Sequence, residues 1–207
     1  MYFKNETDYA IDMAALLKKD SPVALGGEGV QVLIMHTHGT EAYTKTEDYQ
    51  ESSKYRTLNK DYNVVSIGKA LKEALEAEGI GVIHDTTMHD QPSFSGAYGA
   101  ARKTIKQYLK EYPSIALVLD IHRDSVEDSK GKQVRFTAKV DGQTTGRLML
   151  VVGTDAGGLY HPHWQENLAL AYMRASSHTS PFSMISKADR AEFRERLAQL
   201  GLGLENR

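Results

Sequence analysis

Residues 30–41 read VQVLIMHTHGTE, and the fold turns on this stretch: an apolar run of strand length delivers His36, His38 and then Glu41 onto a loop that contains Gly39. A second apolar run, IALVLDI at 115–121, ends the same way in His122, Arg123 and Asp124. Open α/β sheets keep their ligand crevices beyond the carboxyl ends of the strands. Two strands that both empty imidazoles and carboxylates at that end therefore point to one shared site.

Between and beyond these runs, strand and helix patterns alternate. Residues 62–78 place Val64, Ile67, Leu71 and Leu75 on one helical face, and Gly79 supplies a stop. Residues 80–83 read as a short strand, followed by the loop HDTTMHDQPSFSG. A second helix is expected over 98–111, with Ala101, Ile105 and Leu109 in register and Pro113 closing it. Strand, helix, strand, helix, strand is most economically wound with parallel strands. Residues 134–140 and 147–152, separated by DGQTTG, read as a hairpin. A further helix starts near His163, and 187–200 form an amphipathic stretch rich in Arg and Glu. The expected class is α/β, a single domain with a mostly parallel or mixed twisted sheet flanked by helices, residues 1–175 forming the domain and 176–207 a divergent tail.

Composition narrows the partners. The chain has 207 residues, enough for one domain with a sizeable core. Its 25 Lys and Arg against 27 Asp and Glu, with no long block of one sign, give no footprint for nucleic acid. Cysteine is absent, which removes thiol catalysis, Cys-ligated zinc and disulfide scaffolds, and suits an extracytoplasmic setting. No stretch approaches the roughly 20 apolar residues that cross a bilayer, and the first twenty residues do not read as a signal peptide, so the chain as given is expected to be soluble and without an anchor.

Catalytic zinc takes three protein ligands from His and carboxylate and leaves a position for water. His36, Glu41 and His122 would supply such a set, all three lying at strand ends rather than on amphipathic faces. His38 is an alternative to His36 or an outer hydrogen-bond donor, because alternation along an extended segment would point both the same way. Asp120, two residues before His122, could orient a ligand from behind, and Arg123 carries a fork suited to a substrate carboxylate or to holding Asp124 or Glu41 in place. His84, His89, His161, His163 and His178 read as loop histidines, and the Tyr-rich loop at 43–62 as a solvated connection. The triplet His122-Arg123-Asp124 is not a kinase catalytic loop, since Ser129 stands where Asn is needed. The HxH at 36–38 does not open a (β/α)8 barrel, which takes about 250 residues. GTDAGG at 153–158 lacks the Lys and hydroxyl of a P-loop.

IMHTHGTEAYT, LDIHRDS and LMLVVGTDAGGLYHPHWQENLALA together resemble the stage II sporulation protein P family, zinc-dependent peptidoglycan hydrolases related to the N-acetylmuramoyl-L-alanine amidases. NETDYAIDMAALL and DYNVVSIGKALKEALEAEGIGVIHD extend the resemblance over roughly residues 5–173. It implies an amidase-like α/β fold, Zn2+ held by His36, Glu41 and His122, and cleavage of the amide between N-acetylmuramic acid and L-alanine, with action on stem-peptide cross-links also described for the family. The implied partners are glycan strands and stem peptides of peptidoglycan, together with stage II sporulation protein D. The implied setting is extracytoplasmic and membrane-anchored, between the mother-cell and forespore membranes. Family members continue into a strand resembling LLIEVG that carries a catalytic Glu. This chain instead reads RASSHTSPFSMISKADRAEFRERLAQLGLGLENR, which offers no counterpart, and Glu192, Glu195 and Glu205 fall in or beyond a charged, helix-like stretch. The acid or base thus stays unassigned, and the alternative function is a peptidoglycan-binding or partner-binding domain that keeps the fold.

Overall fold

The computed structural model describes residues 3–18, 23–43, 55–132, 134–140, 142–158 and 160–176. The element order is α1 (Met13–Leu17), β1 (Val30–Met35), α2 (Val64–Ala77), β2 (Gly81–His84), α3 (Ala97–Glu111), β3 (Leu117–Asp120), β4 (Thr137–Val140), β5 (Gln143–Gly146) and α4 (Trp164–Ser176). The 187–200 stretch, the three glutamates near the end, His178 and most of the Tyr-rich loop lie outside the described residues.

The chain divides into two compact units. One spans Leu25–Arg147 and includes the sheet; the other joins Met1–Ala24 to Leu148–Ser186. In the second unit α1 packs on α4, and the Tyr9 ring stacks on Trp164 at 5.0 Å while its hydroxyl donates to Asp155.

In the first unit three strands form a sheet in the order β2-β1-β3, all parallel. The central strand explains the order: Val32, Leu33, Ile34 and Met35 are all fully buried, the near-continuous apolar run that a parallel strand covered on both faces needs. One core gathers Val32, Ile34, Leu75, Ile80 and Val82, with Leu71, Leu117 and Leu119 packed against it. The apolar face of α2 is thereby laid on the sheet. Asn63 starts that helix, its side-chain oxygen accepting from the Val65 amide at 3.0 Å, as an N-cap should.

The connections leave β1 and β3 differently. From β1 the chain crosses through α2 to β2 on one side, whereas β3 lies on the other side of β1 after the crossing through α3. The crevice outside the carboxyl ends of β1 and β3 is thus a topological switch point, where sheets of this kind hold ligands.

Three sequence expectations change. The hairpin exists, but it is β4 paired with β5 around residues 141–142, Val140 facing Gln143. Strand β5 starts directly after Gly142, whose φ of +79° suits a tight turn, and residues 147–152 belong to no described strand, with Leu148, Met149 and Val151 exposed. Strand β3 is shorter than 115–121, because its pairing with β1 begins at Leu117 opposite Val32. His84 is not a loop residue; it closes β2, in register with Ile34. No described helix is long and apolar enough to cross a membrane.

Candidate metal centre

The carboxyl ends of the three parallel strands carry the chemistry. β1 runs into His36, β2 ends in His84, and β3 ends in Asp120 with His122 two residues on. The backbone between them is pinned: the Ile121 amide donates to the Met35 carbonyl at 2.9 Å and the Asp85 amide to Ile34 at 2.8 Å.

His36 and His38 separate, contrary to the alternation expected. The pleat stops at Met35 and residues 37–40 turn, so the two rings meet different neighbours. His36 is fully buried; its Nδ1 lies 3.1 Å from the Ile121 carbonyl and its Nε2 2.8 Å from Nε2 of His84. A carbonyl only accepts, so Nδ1 of His36 carries the proton and Nε2 presents a lone pair. Burial lowers the pKa of His36, and burial together with the neighbouring His36 lowers that of His84 to about 4. Both rings are neutral near pH 7, the form that binds metals.

His38 turns toward the β3 side. Its ring stacks on Phe94 at 4.4 Å, meets Tyr98 edge-on at 5.3 Å and lies 5.4 Å from the ring of His122, while its buried Nδ1 finds no hydrogen-bond partner among the described residues.

Glu41 and His122, far apart in sequence, stand together. Oε2 of Glu41 is 3.5 Å from Nδ1 of His122, and Oδ2 of Asp120 is 3.1 Å from Nε2 on the ring's other edge. These two carboxylates, Asp120 foremost, raise the His122 pKa to about 10. About a third of the His122 and Asp120 side chains stays open to water (32% each). Burial pushes the Asp120 carboxyl up, yet hydrogen bonds from His122 and Thr37 outweigh it and hold the group below its ordinary value. The Thr37 amide donates to Oδ1 at 2.8 Å and the Thr37 hydroxyl to Oδ2 at 2.5 Å, so the loop after β1 clamps the last side chain of β3.

Glu41 is fixed at three backbone points. Its amide donates to His38, its carbonyl accepts from Val64 at the start of α2, and its Oε2 accepts the Arg123 amide at 2.7 Å. Arg123 therefore holds Glu41 through its backbone, while its guanidinium reaches the Tyr55 carbonyl at 3.3 Å and lies over the Tyr55 ring. Behind the site, buried Asp90 accepts from Thr40 and, at 2.8 Å, from Arg56, tying the loop after β2 to the loop after β1. His89 is similarly occupied, its ring nitrogens 2.9 Å from the His36 carbonyl and 2.9 Å from the Thr104 hydroxyl.

Among the described residues no group of three or more such side chains converges as a ready ligand set. The donors form two pairs instead, His36 with His84 and Glu41 with His122. Both fit a divalent transition metal in their chemistry. His36 has its outer nitrogen held by a carbonyl, and His122 has Nε2 held by a carboxylate, the two arrangements that orient ligating imidazoles. His84 is the residue the sequence reading passed over; its signal was the one used for His36 and His122, a short apolar run ending in His.

Stage II sporulation protein P of Bacillus subtilis (strain 168) is 28% identical over 163 residues, 74% of this chain and 37% of that protein, so the chain spans little more than a third of the curated relative it matches. No solved structure matches it. A family model described as Stage II sporulation protein P (SpoIIP) covers residues 4–190, and the chain belongs to that family and with it to sporulation.

Proposed function

We propose that this chain is a zinc-dependent peptidoglycan hydrolase of amidase-like fold that cleaves the amide between N-acetylmuramic acid and L-alanine, with stem-peptide cross-links as a second class of bond. The observation that carries the reading is the meeting of Glu41 and His122 at 3.5 Å beyond the carboxyl ends of β1 and β3. His36, Glu41 and His122 would hold the zinc. The ion supplies Lewis acidity that polarises an amide carbonyl and acidifies water.

The chain's own residues prepare that chemistry. Nε2–H of His122 donates to the Asp120 carboxylate, which would leave Nδ1, the nitrogen beside Glu41, as the ligating atom. Thr37 keeps Asp120 ionised and in place, and the Arg123 amide holds Glu41. The guanidinium of Arg123, at the same edge, is suited to a stem-peptide carboxylate. By the family resemblance, glycan strands and stem peptides are the substrate, stage II sporulation protein D is a partner, and the work lies outside the cytoplasm on a membrane-anchored protein.

A synthetic N-acetylmuramoyl peptide incubated with the purified chain and zinc tests the reading by chromatography. Release of the stem peptide, lost in Glu41→Gln, is the expected result. The sequence after residue 173 carries no LLIEVG-like run, which favours a second reading, a peptidoglycan-binding or partner-binding domain that keeps the fold. Intact substrate combined with co-sedimentation on cell wall would select it and overturn the hydrolase.

A further inference from the structure

Resting on the hydrolase reading above, we infer that Phe94 and Tyr98 form a subsite for the sugar ring of the substrate, so that the amide to be cut lies with its glycan side toward these rings and its peptide side toward Arg123. Both rings stand beside the centre. Phe94 lies in the loop after β2 and Tyr98 in the first turn of α3, and both meet the ring of His38, which lies 5.4 Å from that of His122. They are nevertheless open, Phe94 56% and Tyr98 67% exposed. Apolar side chains scattered singly over a surface are ordinary, but two large rings that converge at the rim of a polar crevice mark a place for a ligand.

The loop that presents Phe94 is tied down on both sides. Asp90 accepts from Thr40 and Arg56, and the His89 ring contacts the His36 carbonyl. A Cβ on Gly39 would lie 3.1 Å from the Met88 Cα, so a glycine there lets this loop press against the one after β1. Arg56, its charge balanced by Asp90, lies over the Phe94 ring 4.4 Å from the centroid, while His38 stacks on the same ring at 4.4 Å. Phe94 is thus a fixed wall. Tyr98 meets His38 only edge-on and is the more open of the two, which leaves it a ring face to offer. The C–H bonds along one face of a pyranose suit the negative face of an aromatic ring. On the Glu41 side of His122 the chemistry differs, because the guanidinium of Arg123 lies there over Tyr55 and suits the carboxylates of a peptide. An amide that joins a sugar to a peptide has the same asymmetry.

NMR titration of the full chain, as parent, Tyr98→Ala and Tyr98→Phe, tests the assignment with two probes, the peptide-free disaccharide N-acetylglucosaminyl-N-acetylmuramic acid and the free stem peptide. Tyr98→Ala removes a ring that is mostly in solvent, so the fold survives, and Tyr98→Phe keeps the ring face. We expect the disaccharide to bind about 3–10-fold more weakly to Tyr98→Ala and at the parent level to Tyr98→Phe, with stem-peptide affinity the same in all three. Equal disaccharide affinity in Tyr98→Ala and the parent, no disaccharide binding to the parent, or stem peptide weakened as much as the sugar, would overturn the subsite. A parent that binds the disaccharide through Tyr98 yet leaves an N-acetylmuramoyl peptide intact would overturn the hydrolase and leave the sugar subsite standing.

Discussion

Replacing Gly68 by alanine places a methyl group against the His36–His84 pair. The Cβ would sit 2.4 Å from His84 and 2.7 Å from His36, whose ring is fully buried and held at both nitrogens. Overpacking of this kind costs about 1–3 kcal/mol, and the displaced His36–His84 hydrogen bond about 1 kcal/mol more. Alanine returns up to about 1 kcal/mol in helix propensity, leaving a net loss of about 1–3 kcal/mol. Gly99 supplies the control, since it is an exposed helical residue with nothing within 4 Å of its would-be Cβ. There the propensity gain stands alone, about 0.5–1 kcal/mol of stabilisation. At about 2–4 °C per kcal/mol for a chain of this size, the two metal-free variants should differ in Tm by roughly 3–16 °C. Thermal unfolding followed by far-UV circular dichroism reads the difference. A Gly68→Ala variant as stable as Gly99→Ala would refute the packing of α2 on the histidine pair.

Three further outcomes follow from the same contacts. Asp120→Asn removes the carboxylate behind His122 and should weaken zinc binding about 10–100-fold with the fold intact; unchanged competition curves would remove Asp120 from the centre. In the metal-free chain the raised His122 pKa contributes stability that is fully present below about 6.5 and is lost as pH rises through about 10. The Tm of the parent should therefore fall between pH 7 and pH 10 by more than that of Asp120→Asn, and equal slopes would contradict the ion-pair clamp. Asn63→Ala removes the cap of α2 and the bond to the Thr57 carbonyl at 3.1 Å. About 2 kcal/mol of lost stability is expected in urea titrations, and a change below a few tenths would refute the cap.

The parallel sheet was legible because burial on both faces writes an uninterrupted apolar run, as at 32–35, and because 3.6-residue spacing separates α2 from it. The hairpin was misplaced because Asp-Gly at 141–142 can turn the chain within two residues, and the apolar look of 148–151 drew the second strand too far along. At the site, the nearness of Glu41 to His122 could be anticipated from strand ends alone. The split between His36 and His38 could not, because the strand pleat ends one residue before His36 and only the turn decides where each ring goes. His84 escaped notice because its strand has just four residues, too few to show that the histidine closes it rather than opening the next loop.

The most direct test of the hydrolase is mass spectrometry of what intact peptidoglycan releases when incubated with the zinc-loaded chain, beside a His122→Ala control. Free stem peptides with an L-alanine amino terminus, absent in the control, are predicted. Release that is equal in the control, or no release from either, would contradict the proposed amidase.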